Sequence, residues 1–208
     1  MLLLAFVVWL STRKIDIQKG KINIGVAQFS VLNTSVEKTL DAEQKLAFSN
    51  EIANYIYNSL NHERQSLNMD EYVNFFRMPA RLSVDYATCD KITNGLGADI
   101  VIWGNTTYTN NKFMLNYKVS FKKRINSIFF DKLINDINSY PDIGFDFSHE
   151  NNLECSKFIH MISYLSIIYK SIGYMNTYKY EKAEELLVDA MHRLNRLYSD
   201  ETDQSINI

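Results

Sequence analysis

The residues best suited to chemistry in this chain are its histidines, and their spacing predicts no metal site. A zinc-binding helix needs two histidines four residues apart, so that both rings reach one ion. His62, His149, His160 and His192 contain no such pair. The adjacent His149 and Glu150 are better suited to capping the next helix than to general-base catalysis. We therefore expect no bound metal and no cofactor.

The two cysteines, Cys89 and Cys155, do not form a recognisable redox, metal or nucleophile motif. Neither has a base nearby in sequence, and the chain lacks a Cys-x-x-Cys pair, a G-x-S-x-G motif, a phosphate loop and a dinucleotide fingerprint. The pattern favours two reduced thiols in the core, with a disulfide as the alternative. The sequence thus predicts a protein that is not an enzyme and has no catalytic residues.

Basic and aromatic residues alternate near residue 120, as in some strands that bind single-stranded nucleic acid. In an extended strand, the rings of Tyr117 and Phe121 lie on the face opposite to Lys118 and Lys122. A stacking surface needs rings and charges on one face, and the net charge of -2 adds no attraction. We expect the lysines in solvent at a sheet edge, with contact to anionic lipid as an alternative, and no bound nucleic acid.

Strands are predicted at four places in the first two thirds of the chain. Lys21 to Val31 is apolar on both faces, which is typical of a strand in the middle of a sheet, and residues 71–79 form a shorter strand. Ile100 to Trp103 is a buried run, and Phe113 to Phe121 alternates strictly between apolar and polar. The last two predict a hairpin with one face on a core, which closes the sheet.

Helices are predicted between these strands. Apolar residues recur at helical spacing from Asp41 to Leu60, and Asp41 with Gln44 forms a capping-box pattern. The positions predicted to turn inward are Leu46, Ile52, Ala53, Ile56 and Leu60. A second helix runs from Tyr86 to Leu96. The whole pattern predicts an α/β fold, a mixed sheet flanked by helices, within a domain at residues 21–140.

The region after the hairpin is less regular. Residues 125–137 fit either a strand or a helix, and residues 138–152 predict a loop that contains Pro141 and Gly144. We place the domain boundary in that loop. Composition supports two folded parts, since 46% of the residues are hydrophobic and 22% are charged.

Residues 153–198 predict a C-terminal α-helical hairpin. Within it, residues 164–197 fit the offsets of a 34-residue helix–turn–helix unit. The matching positions, with the small residue Ser171, are Tyr174, Tyr180, Ala183, Leu187 and Ala190. The segment resembles a tetratricopeptide (TPR) repeat, although Asn195 stands where a proline usually closes the second helix.

The TPR resemblance implies a role for each of these positions. Ala183 and Ala190 would let two helices approach closely, and the tyrosines would pack between them. A partner would bind on the first helix of the pair, at Tyr169, Lys170 and Asn176. Since one repeat cannot bury its own apolar face, further repeats, a partner or the α/β domain must cover it.

The α/β part has a second resemblance. The segment from Gly97 carries a GAD-V-V-x-G-like pattern that follows a helix and leads into an antiparallel strand. The matching residues are Gly97, Ala98, Asp99, Val101 and Gly104. Residues 21–122 resemble the α/β domain of the TolB amino-terminal region and its relatives. That resemblance implies protein contact in a bacterial envelope assembly, or beside a repeat array, rather than catalysis.

The first fourteen residues carry an apolar run followed by Arg13 and Lys14. Ten apolar residues rise about 15 Å as a helix, half of the hydrocarbon thickness of about 30 Å. Because the positive charges follow the run, the pattern is typical of the last half of a transmembrane helix rather than of a secretory signal. An apolar segment docked on the domain and an atypical signal are the alternatives.

Together these patterns predict a membrane-tethered scaffold or adaptor that binds a protein or peptide partner. The positive-inside rule slightly favours the cytoplasmic side of an inner-type membrane over the periplasmic side. The alternative is a sensor for a small molecule or nucleotide, which would bind at the end of the sheet near Asn105 and Thr107, where α/β folds hold ligands. An enzyme is the third hypothesis.

Overall fold

A computed structural model describes residues 17–33, 40–66, 68–79, 84, 88–109, 112–122, 132, 135, 137–139, 143–145 and 153–204. The chain divides into two compact units, Met1–His160 and Met161–Ile208. The first unit contains the sheet, and the second is helical. The predicted anchor at 1–14 and the pair His149 and Glu150 lie outside the described residues.

One mixed sheet organises the first unit. Its described strands are β1 (Ile22–Val26), β2 (Ser30–Asn33), β3 (Val73–Arg77), β4 (Ile100–Thr109), β5 (Lys112–Phe121) and β6 (Ile143–Phe145). The order is β3-β1-β4-β5-β6, and β2 pairs with β4. β1 is parallel to β3 and β4, whereas β5 is antiparallel to β4 and β6. The predicted α/β class and the predicted hairpin are confirmed.

The helices with continuous description are α1 (Ala42–Ser66), α2 (Cys89–Leu96), α3 (Leu153–Met175) and α4 (Tyr180–Gln204). α1 begins with the predicted capping box. The amide of Gln44 donates to Asp41 Oδ1 at 2.8 Å, and the amide of Asp41 donates to Gln44 Oε1 at 3.1 Å. Two backbone donors that the helix itself leaves unpaired are thus satisfied.

Helices α1 and α2 cover opposite faces of the sheet. α1 contacts β1, β2 and β3, and its Phe48 ring lies 4.8 Å from the Phe113 ring of β5. α2 contributes Ile92 and Leu96 to a cluster on the other face. That cluster consists of Ala27, Phe76, Met78, Val84, Ala98, Val101 and Trp103.

Four of the five apolar positions predicted to turn inward on α1 are confirmed, and one is wrong. The confirmed ones are buried: Ile52, Ala53, Ile56 and Leu60. Leu46 is 52% exposed, because it lies in the first turns of the helix, ahead of the stripe that meets the sheet. A periodic pattern locates the buried face but not the point along a helix where contact begins.

The first predicted strand is interrupted rather than continuous. β1 pairs with β4 up to Ile102, and β2 resumes the pairing at Asn105. The three residues Ala27–Phe29 therefore lie opposite two residues of β4, which is the count of a β-bulge. The amide of Ala27 donates to Ile102 O at 2.8 Å inside the bulge.

The prediction of a loop at 138–152 is wrong for four described residues, since Asn138 is helical and Ile143–Phe145 form a strand. Ile143–Phe145 pairs with β5 as β6, and a strand this short carries too little alternation for sequence analysis to detect. The hairpin therefore does not close the sheet. Lys118, expected in solvent, is half-buried and donates from Nζ to Asn138 O at 2.6 Å.

The amino ends of β1, β3 and β4 share a buried polar network. The amide of Asn23 donates to Asp99 Oδ2 at 2.9 Å, and the amide of Asp99 donates to Asn23 O at 2.7 Å. Asn74 Nδ2 donates to Asn23 Oδ1 at 3.0 Å. Because all three side chains are buried, and because Asn23 is bonded to Asp99 through its backbone and to Asn74 through its side chain, this network holds the strand starts in register.

Candidate functional site

The residues predicted for a small-molecule site lie on β4 past the point where β1 ends. Asn105 pairs with Ser30 of β2, and Thr107 pairs with Leu32. Both side chains are half-buried and lie on one face, opposite to Thr106, which is buried and donates to Met114 O at 3.0 Å. Both residues also pair with β5, so they lie within the sheet rather than at its end, and ligand binding there stays a prediction.

A site that sequence analysis missed lies at the carboxyl ends of β1 and β3. Arg77, the last residue of β3, donates from Nε to Asn54 Oδ1 of α1 at 3.1 Å. Its Nη1 donates to Val26 O at 3.0 Å and lies 3.5 Å from Ala27 O. The guanidinium thus satisfies carbonyl groups where the strand bulges away from its neighbour.

The electrostatic environment of Arg77 is unusual. Burial lowers the pKa of Arg77, and the opposing effect of nearby Tyr57 is smaller. In the described part of the chain, no carboxylate forms an ion pair with this guanidinium. A half-buried cation without a bound carboxylate is uncommon, because desolvating a charge is unfavourable unless it is paired.

Amide side chains continue this polar surface. Gln28, in the bulge, donates from Nε2 to Asn50 Oδ1 at 3.2 Å. Asn50, Asn54 and Tyr57 are spaced by four and three residues, so they lie along one side of α1. That spacing, followed by an arginine at the end of an apolar strand, is the signal that could have located the site from sequence.

A second polar contact joins α1 to the start of α3. His160 Nδ1 lies 2.6 Å from Glu63 Oε1, with both side chains largely buried. The geometry suits a histidine oriented by a carboxylate, and Glu63 is the one described hydrogen-bond partner of the His160 ring. No group of three or more metal-ligating side chains occurs in the described ranges.

The three residues predicted to bind a partner differ in their exposure to solvent. Tyr169 is only 4% exposed, Lys170 lies with its ammonium 5.4 Å from the centre of the Tyr174 ring, and Asn176 is exposed. Tyr169 is thus inaccessible in this conformation, whereas Asn176 can contact a partner.

The predicted repeat-packing residues also fall into two groups. Ala183 and Ala190 are buried, as helix contact requires, and Leu187 and Tyr174 are half-buried. Tyr180 is 59% exposed. Leu186 is buried beside the alanines, so the buried side of α4 consists of small and branched residues at helical spacing.

The turn between α3 and α4 has a Schellman geometry with an unusual residue at its centre. The amide of Lys179 donates to Tyr174 O at 2.9 Å, and the amide of Tyr178 donates to Met175 O at 3.1 Å. Tyr178 has a φ of 58°, a left-handed conformation that usually belongs to glycine or asparagine at this position. A bulky residue there is strained, and such outliers concentrate at functional sites.

Tyr178 is also the most exposed large apolar residue of the described part, at 82%. Its ring meets the Tyr180 ring edge to face at 6.2 Å. Met175, Val188 and Met191 are exposed in the same unit. The helical unit therefore displays an apolar and aromatic surface, which we call the α4 stripe and define as Tyr178, Tyr180, Leu187, Val188 and Met191.

Carboxylates flank the α4 stripe. Glu181, Glu184, Glu185 and Asp189 are exposed between its apolar members, and Lys182 is the one cation of α4 between Tyr180 and Met191. The surface thus combines apolar side chains with negative charge.

The comparisons with protein-family models, with curated proteins and with solved structures found no match for this chain. The resemblances to the TolB amino-terminal domain and to the TPR repeat therefore stay predictions from the sequence. No helix in the described ranges is long and apolar enough to cross a membrane.

Proposed function

We propose that this protein is a non-enzymatic interaction scaffold, or adaptor, that binds a protein or peptide partner through the α4 stripe. The observation that carries the proposal is that α4 has two apolar sides and buries only one of them. Ala183, Leu186 and Ala190 form the buried side. An amphipathic helix in a folded protein needs a single apolar side, so the second one is available for another surface.

The spacing of the exposed side supports a helical or extended partner. Exposed Tyr180 and Met191 lie on one line of the helix with half-buried Leu187 between them, at separations of seven and four residues. Exposed Val188 lies beside this line. Such a line is how an amphipathic helix meets a groove or another helix. Tyrosine and methionine are also enriched in the cores of protein interfaces.

The charge pattern defines the chemistry of the partner. Because the residues between the apolar positions are mainly Glu181, Glu184, Glu185 and Asp189, the best complement is an apolar segment flanked by lysine or arginine. The TPR-type interpretation of the hairpin belongs to the same proposal, since a second helix pair or a partner must cover the open side of each repeat.

The membrane tether is a further part of the proposal and rests on the sequence of residues 1–14 alone. Their apolar run followed by two positive charges supports an anchor with the folded units on the cytoplasmic side. Separation of the full chain between membrane and soluble fractions, with and without those residues, tests this part.

Site-specific photo-crosslinking tests the partner-binding part. A photoreactive phenylalanine analogue replaces Tyr178, Val188 or Met191 in the full chain in its native cells, and the matched control position is Leu46, which is 52% exposed on α1. We expect discrete adducts from the three α4-stripe positions and none from Leu46. Equal adducts at all four positions, or none at any, would contradict the proposal.

A further inference from the structure

The guanidinium of Arg77 retains hydrogen-bonding capacity that the folded chain does not use. Nε and Nη1 donate to Asn54 Oδ1 and to Val26 O, at 3.1 and 3.0 Å. In the part of the chain that the structure describes, Nη2 and its two N–H groups have no hydrogen-bond acceptor. These contacts fix the plane of the guanidinium, so the remaining donors have a defined direction.

Further donors lie beside it. Asn54 accepts from Arg77 through Oδ1, which leaves its Nδ2 amino group as a donor without a partner among the described residues. Asn50 accepts from Gln28 in the same way, through Oδ1. Both amides therefore present N–H groups at the same end of the sheet as Arg77. The unused N–H groups of Arg77, Asn54 and Asn50 are best matched by a ligand group that only accepts hydrogen bonds.

The charge balance of this surface points to an anion. Arg77 has no carboxylate partner in the described ranges, and its half-buried guanidinium is partly desolvated, which lowers its pKa. Arg64, by contrast, has its Nε 3.0 Å from Asp70 Oδ1. Glu51, the acid nearest to Asn50 in sequence, is exposed and does not pair with Arg77.

The location agrees with how sheets of this kind hold ligands. Arg77 ends β3, and Val26, whose carbonyl it binds, ends the neighbouring parallel strand β1. Ligands of open α/β sheets bind outside the carboxyl ends of parallel strands. Asn105 and Thr107 are on β4 beyond that end, so the ligand position differs from the one predicted from sequence.

We propose that Arg77, Asn54 and Asn50 form a binding site for a small ligand that carries an oxyanion, either a phosphate or a carboxylate. Nη2 of Arg77 donates to the oxyanion, and the amide groups of Asn54 and Asn50 complete its hydrogen bonds. Charge-assisted bonds from a guanidinium are among the strongest that an oxyanion accepts. The proposal is independent of the α4 stripe.

Nuclear magnetic resonance of the arginine side chains of the full chain tests the site. Inorganic phosphate and acetate are titrated separately at constant ionic strength, and Arg64 is the internal control because its Nε already lies 3.0 Å from the Asp70 carboxylate. We expect a saturable shift of the Arg77 Nε signal with a dissociation constant on the order of 1–10 mM, as for one anion with few contacts. Saturation by phosphate alone or by acetate alone identifies which oxyanion fits.

The variant Asn54→Asp separates binding from folding. The new carboxylate replaces Asn54 Oδ1 as the acceptor of Arg77 and neutralises the site, so the fold is retained while phosphate and acetate affinity falls at least about tenfold. Gln65→Glu adds the same charge at an exposed position near the end of α1, and we expect less than about a twofold change.

Two results would overturn the proposal. One is a linear, non-saturating response of Arg77 that equals that of Arg64. The other is unchanged affinity in a folded Asn54→Asp protein, which would place the bound anion elsewhere.

Discussion

The two units of this molecule use apolar residues in opposite ways. In the first unit, most of the described large apolar strand residues are buried, although Leu32 of β2 is exposed, and β1 is buried along its whole length. In the second unit, α4 buries small residues and exposes tyrosine, valine and methionine. The described sheet therefore uses most of its apolar residues for its own core, whereas the helical unit presents a surface that another molecule can cover.

The largest loss of stability is expected at Gly104, where the sheet has no room for a side chain. A Cβ at Gly104 would lie 2.1 Å from Asn116 O, and the φ of Gly104 is 156°. We predict that Gly104→Ala lowers the free energy of unfolding by more than about 3 kcal/mol, because the backbone of β5 cannot move away cheaply. Chemical denaturation measures this change in the free energy of unfolding.

Gly95→Ala is the matched control for Gly104→Ala. Nothing lies within 4 Å of a Cβ at Gly95, which is helical and exposed. Gly95→Ala should therefore raise the free energy of unfolding by about 0.5–1 kcal/mol. Equal stability of the two variants would mean that the β4–β5 contact is looser than the structure shows.

A smaller loss of stability is expected when the buried polar network at the amino ends of the strands is broken. Asp99→Ala removes the acceptor of the Asn23 amide in a buried network and should cost about 2–3 kcal/mol in thermal or chemical unfolding. Asp70→Ala removes an exposed partner of Arg64 and should cost less than about 1 kcal/mol. Similar losses for both would show that the network does not support the sheet.

The buried side of α4 has little room for a larger side chain. Ala183→Leu adds volume at a position that is 2% exposed, and we expect a destabilisation of about 1–3 kcal/mol by overpacking. Glu184→Leu adds a similar side chain at an exposed neighbour and should change stability by less than about 0.5 kcal/mol. An unchanged melting curve for Ala183→Leu would refute close helix contact at this position.

The smallest effect is a gain in stability. Tyr178→Gly removes the left-handed strain of the Schellman turn and should stabilise the fold by about 0.5–1 kcal/mol, although the edge contact with Tyr180 is lost. The same variant should weaken the photo-crosslinks from Met191, because Tyr178 belongs to the α4 stripe. If stability and crosslinking both stay unchanged, Tyr178 has no role in the surface.

The sequence revealed most of the fold but little of the surface chemistry. Strict alternation at Phe113–Phe121 and the capping pair Asp41 and Gln44 are local signals, so the hairpin and the start of α1 were predictable. The bulge at Ala27–Phe29 and strand β6 depend on backbone pairing with distant strands, which local pattern does not record.

The candidate sites were harder to predict for the same reason. Arg77 meets Asn54 and Val26 across separations of 23 and 51 residues, and no local motif links them. On α4, the TPR resemblance singled out Ala183 and Ala190, which are buried, together with Tyr180, which faces solvent. Only the fold determines which of two apolar sides a neighbour covers.

If the α4 stripe binds a partner, α4 is covered in the cell and uncovered in the purified protein. The variants Met191→Cys and Leu46→Cys are made in a chain whose native cysteines are replaced. Each is labelled with a maleimide in permeabilised cells and, separately, after purification. We predict that the Met191→Cys protein is protected in the cell and reactive when purified, whereas the Leu46→Cys protein reacts in both. Equal reactivity of the Met191→Cys protein under the two conditions would contradict a partner on the α4 stripe.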